Sequence, residues 1–205
     1  MSRHNILIAS QNKGKIKEIQ AALELPGVNF EVRHDLPSVD EDGCDFFENA
    51  LKKAKVCSLW SGLPALADDS GLEVDALNGA PGIYSARFSG PDRDDIANNE
   101  KLLRLMDGIP PLRRGAAFRA VIVIYFPSGE WVLGEGICRG VIMDHPKGKN
   151  GFGYDPLFFL PHIGRTMAEL SPEQKNTLSH RALALQDLRE KLLSPEFFHL
   201  LHFTP

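Results

Sequence analysis

Two adjacent carboxylates, Asp68 and Asp69, stand in the stretch "LPALADDSGLEVDAL", directly after a short apolar run and before Ser70 and Gly71. Like charges held side by side raise the pKa of one partner unless a cation neutralises them. The pair therefore calls for a cation beside it. A second acidic segment, "DEDGCDFFE" at 40–48, supplies more oxygen donors. Oxygen-rich clusters of this kind suit Mg²⁺, which takes one or two carboxylates and completes its shell with water and substrate phosphate. Taken singly, each group also reads as turn or surface chemistry, because Asp-Ser-Gly is a good turn sequence. A metal and a water held at the end of a strand would account for the pair.

The basic residues are placed unusually. In "ASQNKGKIKE" (9–18), Asn12 falls at the expected start of a helix, where asparagine is a good N-cap. Lys13, Lys15 and Lys17 then fall in or near the first turn, against the positive end of the helix dipole. Free backbone N–H groups with lysines at one helix start suit an anion such as phosphate. Three solvated lysines on a surface helix are the alternative. The spacing is not that of a P-loop. Along the helix expected over 44–60, Glu48, Lys52 and Lys55 share a polar face, with Glu48 and Lys52 spaced to pair. Lys53 instead falls beside Phe46, Asn49 and Trp60, at the edge of the apolar arc. It either snorkels to water or reaches a polar site. Arg181 shares a face with Leu185, Leu188 and Leu192 near the start of the last helix. An arginine on a core-facing side needs a partner: a carboxylate, or an anionic or carbonyl ligand.

The elements that must position these groups follow from periodicity. "HNILIAS" (4–10) reads as a strand, "GKIKEIQAALEL" as the following helix and "VNFEVR" (28–33) as a second strand. "PALA" and "LEVDAL" read as two short strands, and 93–108 as a helix closed by Gly108. Residues 116–140 read as two long strands turning at "PSGE", "YDPLFFLP" as strand-like, and 179–193 as the last helix. Helices alternating with strands, with a hairpin among them, imply an α/β fold with a mixed sheet. Leu63–Pro64 and the 145–151 loop read as hinges.

The 205 residues, 43% of them hydrophobic, fit one domain or one domain of two lobes. A net charge of −4 argues against a nucleic-acid binder with a broad basic face. No apolar run approaches the roughly 20 residues that span a bilayer, and "MSRHNILIAS" is too short in apolar residues for a signal peptide. A soluble, cytoplasmic protein is expected. Three cysteines, an odd number without C-x-x-C spacing, argue against a disulfide framework or zinc site. H-E-x-x-H, G-x-S-x-G and the Rossmann glycine pattern are absent. His199 and His202, among apolar residues, read as packing.

The stretches "SQNKGK", "DDSGLEVDALNGAPGIYSARFSG", "GFGYDPLFF" and "SHRALALQDL" resemble the inosine/xanthosine triphosphate pyrophosphatase family, from residue 5 to about 190. The resemblance implies an elongated mixed sheet with flanking helices, two lobes around a central cleft, and a homodimer. It also implies Mg²⁺-dependent hydrolysis of dITP, ITP or XTP to the monophosphate and pyrophosphate, which cleanses the nucleotide pool. By the same resemblance, Ser10, Gln11, Asn12, Lys13, Gly14 and Lys15 match the triphosphate-binding turn, and Lys53 a basic substrate contact. Glu41 matches a metal ligand, with Asp40 and Asp42 beside it. Asp69 matches the general base and a metal ligand, with Asp68 and Ser70 flanking it. Phe152, Gly153, Tyr154, Asp155, Lys175, His180 and Arg181 match the nucleobase pocket. Many members carry glycine where this chain has Gln11.

Hypoxanthine and xanthine present a 6-oxo acceptor and an N1–H donor, and adenine presents the reverse. Arg181 or His180 donating to O6, with Asp155 or a backbone carbonyl accepting from N1–H, would reject adenine. Phe152 either stacks on the base or packs in the core. Two other readings compete: a related pyrophosphatase for modified pyrimidine or methylated nucleotides, and a nucleotide sensor without turnover. The "SHR" element disfavours the first and the intact carboxylates disfavour the second.

Overall fold

The fold is that of a computed structural model in which residues 4–202 are described, the last two by backbone alone. Among the described residues, seven strands form one open sheet in the order β2-β1-β3-β4-β5-β6-β7. They are β1 (His4–Ile8), β2 (Val28–Val32), β3 (Ala65–Val74), β4 (Gly115–Tyr125), β5 (Trp131–Ile142), β6 (Phe158–Leu160) and β7 (Arg165–Thr166). β1 runs parallel to β2 and β3, whereas β6 runs antiparallel to β5 and β7, so the sheet is mixed as expected. The flanking helices are α1 (Lys13–Ala22), α2 (Phe46–Ser61), α3 (Asp95–Leu105), α4 (Pro172–Leu178) and α5 (His180–Leu192). None is long and apolar enough to cross a membrane.

The chain divides into two compact units. One comprises Met1–Asp69, Ala120–Gly136 and Arg181–Pro205, and the other Ser70–Arg119 and Ile137–His180. Each has its own core. The first gathers Ile6 and Ile8 of β1, Ile19 and Leu23 around α1, Ile122 and Ile124 of β4, and Leu185, Leu188 and Leu192 of α5. The second gathers Leu72 and Val74 of β3, Leu102 and Met106 around α3, Phe118 of β4, and Leu157, Phe158 and Leu160. The leucine face read on the last helix is therefore the buried one.

Local chemistry explains where the helices begin and end. Asn12 Oδ1 accepts from the N–H groups of Gly14 and Lys15 at 2.9 and 3.1 Å, the expected N-cap. Asp45 caps α2 through Glu48 N at 2.8 Å, and Gly62 closes it in the left-handed region at φ 71°. α1 stops at Ala22, short of the Leu25 expected, because the chain then meets Pro26. Asp94 caps α3, and Arg93 before it stands at φ 53°, so this helix is shorter than the 93–108 expected. α4 was not expected, although Ser171 and Gln174 form a capping box around Pro172 at the first helical position.

Several expectations are corrected. "PALA" and "LEVDAL" are one strand, β3, and Asp68 and Asp69 lie in its interior rather than at a strand end. The strand tolerates both charges because two lysines and an arginine pair with them. "YDPLFFLP" is mostly turn: Leu157 N and Phe158 N both donate to Tyr154 O, and only Phe158–Leu160 is strand. Glu48 accepts from Cys44 N at 2.8 Å, and Lys52 pairs with Asp42 at 2.6 Å instead of with Glu48. The "PSGE" turn is as read, with Phe126 N donating to Glu130 O at 2.9 Å. The segment read as a hinge at 145–151 is bonded from Lys147 to Pro156 and from Lys149 and Asn150 to Ala168. Ala80–Pro81 is cis. His199 Nε2 lies 3.3 Å from Glu130 Oε1, while the side chain of His202 falls outside the described residues.

Candidate active site

In the first unit, charged side chains from four segments meet around β3. Lys15, in the first turn of α1, turns inward and pairs with Asp68, while Lys13 and Lys17 stay exposed. Of the three lysines, one is therefore recruited and two are solvated. Arg181 lies in the first turn of α5 with its side chain 1% exposed. Its Nε donates to Asp68 Oδ2 at 3.0 Å, its Nη2 to Asp68 Oδ1 at 3.4 Å and its Nη1 to Glu18. Burial alone would raise the Asp68 carboxyl, but Arg181 and Lys15 outweigh it and hold the group well below the usual carboxylate range. Burial lowers Lys15, and the Asp68 charge only partly offsets this.

Lys53 takes the polar route rather than snorkelling. Its ammonium donates to Asp68 O at 2.8 Å, Glu41 Oε1 at 3.0 Å and Asp69 Oδ1 at 3.4 Å. Burial opposes its charge, yet Asp69 and Glu41 together raise its pKa. Asp69 shifts the other way from its neighbour: burial pushes its carboxyl up, and the nearby lysines do not fully compensate. Two adjacent carboxylates thus differ in character, one firmly ionised in a saturated ion pair and one more basic. Among the acidic residues near 41, Glu41 faces Lys53, whereas Asp42 is exposed on Lys52 and Asp40 is exposed.

In the second unit, the "FGYD" turn is anchored at successive residues. Asp155 Oδ2 accepts from Phe152 N at 2.9 Å and from Lys175 Nζ at 2.6 Å. Asp95 and Asn99 of α3 engage the N–H and carbonyl of Gly153 at 2.7 and 2.8 Å. Tyr154 donates its hydroxyl to Ser85 O at 2.9 Å, and burial pushes this phenol well up. The Lys175 ammonium also lies 4.8 Å from the Phe152 ring centre. His180 stacks on Phe118 at 4.7 Å with the rings 14° apart.

A profile of the Ham1 family matches residues 6–191. This chain belongs to the Ham1 family. It is 52% identical over 190 residues to a dITP/XTP pyrophosphatase of Geobacter sulfurreducens, covering 91% of this chain and 96% of that one. It is 50% identical to a dITP/XTP pyrophosphatase of Desulforamulus reducens, covering 91% and 94%. Among solved structures, a HAM1 protein from Coxiella burnetii superposes with a TM-score of 0.84 at 40% identity, covering 92% of this chain and 98% of that one.

Within this Ham1 chain, the structure brings together Asn12, Lys15, Glu41, Lys53, Asp68, Asp69 and Arg181 in one unit and Phe152, Tyr154, Asp155, Lys175 and His180 in the other. Ser10 Oγ accepts from Asn12 N at 3.2 Å, Gly14 donates to the Asn12 cap, and Ser70 is half-buried. Gln11 is exposed and is not among the residues of positive φ, so glycine is not needed there. Arg181 is bonded to Asp68 and Glu18. Sequence reasoning missed Glu18, the second acceptor of Arg181. Its place on α1, one turn after Lys15, was the available signal. Glu41 Oε1 and Asp69 Oδ1 already share one cation, the Lys53 ammonium. Among the described residues no cluster of three or more His, Cys, Asp or Glu is placed to hold a metal. Two carboxylate oxygens turned to one cation fit Mg²⁺, which needs no larger protein cage.

Proposed function

We propose that this Ham1 protein hydrolyses non-standard purine nucleoside triphosphates, dITP, ITP and XTP, to the monophosphate and pyrophosphate, removing them before they enter DNA or RNA. The observation that carries this reading is the meeting of Glu41 and Asp69 at the Lys53 ammonium, beside the Asn12-capped start of α1. A triphosphate carries about four negative charges, and several cations must share them. Lys15 and Lys53, with the backbone at the start of α1, bind the phosphates. Asp69, the more basic of the two aspartates, takes the proton of a water attacking the α-phosphorus. The bond from that phosphorus to the bridging oxygen breaks, and pyrophosphate leaves with the electron pair. Glu41 and Asp69 would hold Mg²⁺, which supplies charge neutralisation of the phosphates when bound.

The second unit supports the base reading. Phe152, braced by Asp155 and Lys175, offers a stacking face. Arg181 is engaged with Asp68 and Glu18, so His180 is assigned the donation to O6. Asp155 Oδ2 is taken by Lys175 and Phe152 N, so a backbone carbonyl is assigned acceptance from N1–H. The protein acts in the cytoplasm as a homodimer; Leu59, Trp60 and Trp131, exposed in the first unit, are apolar groups available for pairing. Pyrophosphate release across ITP, dITP, XTP, GTP and ATP, with and without Mg²⁺, tests the function. Equal rates for ITP and ATP overturn the base code, and no release from any of them overturns the enzyme.

A further inference from the structure

Asn49 lies on α2, one turn before Lys53, and is 1% exposed. Residues four apart on a helix share a face, so Asn49 and Lys53 address the same neighbours. The Asn49 amide nitrogen donates to Asp69 Oδ2 at 3.1 Å, and its amide oxygen accepts from Gly43 N at 2.8 Å. This orientation is forced: turning the amide over sets its oxygen against a carboxylate oxygen and its NH₂ against an N–H. Lys53 meets the other Asp69 oxygen, Oδ1, together with Glu41. The two oxygens of Asp69 are thus divided between a neutral donor and a cation. Gly43 lies two residues after Glu41, so the same amide ties the glutamate's segment to the aspartate.

The link is close-packed. A Cβ at Gly43 would stand 2.8 Å from Asn49 Oδ1 and 2.8 Å from Glu48 Cβ, nearer than real Cβ atoms come. The backbone at 43 approaches the helix only because it carries no side chain. Cys44 N donates to Glu48 at 2.8 Å and fastens the same segment to the first turn of α2.

We propose that Asn49 is a positioning residue for the metal site. It turns Asp69 so that Oδ1, rather than Oδ2, faces the cation, and it fixes the spacing of Asp69 from the segment bearing Glu41. It touches neither substrate nor metal. The proposal rests on the reading of Glu41 and Asp69 as metal ligands. Groups that orient a metal ligand typically change affinity by about 10–100-fold when removed.

The test is Mn²⁺ binding to the substrate-free protein, by calorimetry or electron paramagnetic resonance, in the wild type, Asn49→Ala and Gly43→Ala. Unfolding is measured in chelator alongside. Asn49→Ala is expected to weaken Mn²⁺ binding about tenfold or more, with kcat reduced and KM for ITP little changed. Gly43→Ala attacks the link from its other side, and its loss of Mn²⁺ affinity is expected to match. It decides the matter if Asn49→Ala does not fold. Wild-type Mn²⁺ affinity in a folded variant overturns the proposal. A wild-type protein that binds no Mn²⁺ overturns instead the metal-ligand reading beneath it.

Discussion

The Arg181 guanidinium lies along the Asp68 carboxylate, Nε to Oδ2 at 3.0 Å and Nη2 to Oδ1 at 3.4 Å, with both side chains closed to solvent. Removing one member of a buried pair strands the other charge and typically costs about 3–5 kcal/mol. Here Glu18 also loses its bond to Arg181, while Lys15 stays on Asp68. Arg181→Met is therefore expected to lower unfolding stability by about 3 kcal/mol, read from urea denaturation. An unchanged midpoint would mean that Lys15 alone satisfies Asp68.

The same pair sets an acid limb of stability. Asp68 has a folded pKa below its unfolded value of about 4. The unfolded chain then binds more protons in the acid range, so stability rises with pH there. The contribution is complete above about pH 4 and disappears as pH falls through the folded pKa. Asp68→Asn should flatten this limb. Urea midpoints measured at intervals between pH 2 and 6 would read the difference in slope.

Asp69 has the opposite sign. Its folded pKa is raised, so its contribution to stability is present below the unfolded pKa and lost as pH rises through the folded one. Asp69→Asn should lower kcat by about 10²–10⁴-fold with little change in KM. Its melting temperature relative to wild type should be higher at pH 7 than at pH 4. Retained turnover would remove Asp69 as the base.

Much of this was legible in residue spacing, and the misses share a cause. Lys15, Lys53 and Arg181 each stand out because a charge is out of place on its own helix. All three are engaged with the acidic pair on β3. What spacing does not reveal is the partner across the fold. Asp68 and Asp69 looked like a strand terminus because two charges rarely lie inside a buried strand. Their distant partners, Lys15, Lys53 and Arg181 among them, let β3 run on to Val74. Glu48 and Lys52 looked like a pair by local spacing, yet Asp42 competes for Lys52. The "FGYD" turn is held by Asp95 and Asn99, over 50 residues earlier, which no periodicity connects to it.

Lys53 keeps Glu41 and Asp69 from facing each other as bare charges. Lys53→Met should therefore be less stable than wild type in chelator and should gain more from a divalent cation. Melting curves with EDTA and with saturating Mg²⁺ measure both gains. The rise on adding Mg²⁺ should exceed the wild-type rise by about 3 °C or more, on the order of 1 kcal/mol for a chain of this size. Equal rises in the two proteins would place the cation elsewhere.

Phe152 is fixed on two sides, by its N–H to Asp155 Oδ2 at 2.9 Å and by the Lys175 ammonium 4.8 Å from its ring. A ring so braced can accept a purine without first being ordered, which lowers the entropic cost of stacking. Stacking on an aromatic side chain is worth about 1–3 kcal/mol per base by alanine substitution. Phe152→Ala should then raise KM for ITP by about 5–100-fold and leave kcat nearly intact, while Phe152→Tyr restores KM. Inhibition by inorganic tripolyphosphate, which has no base to stack, supplies the control and should be the same in all three proteins. If the alanine variant weakened tripolyphosphate as much as ITP, the ring would be a packing residue whose loss disturbs the phosphate site.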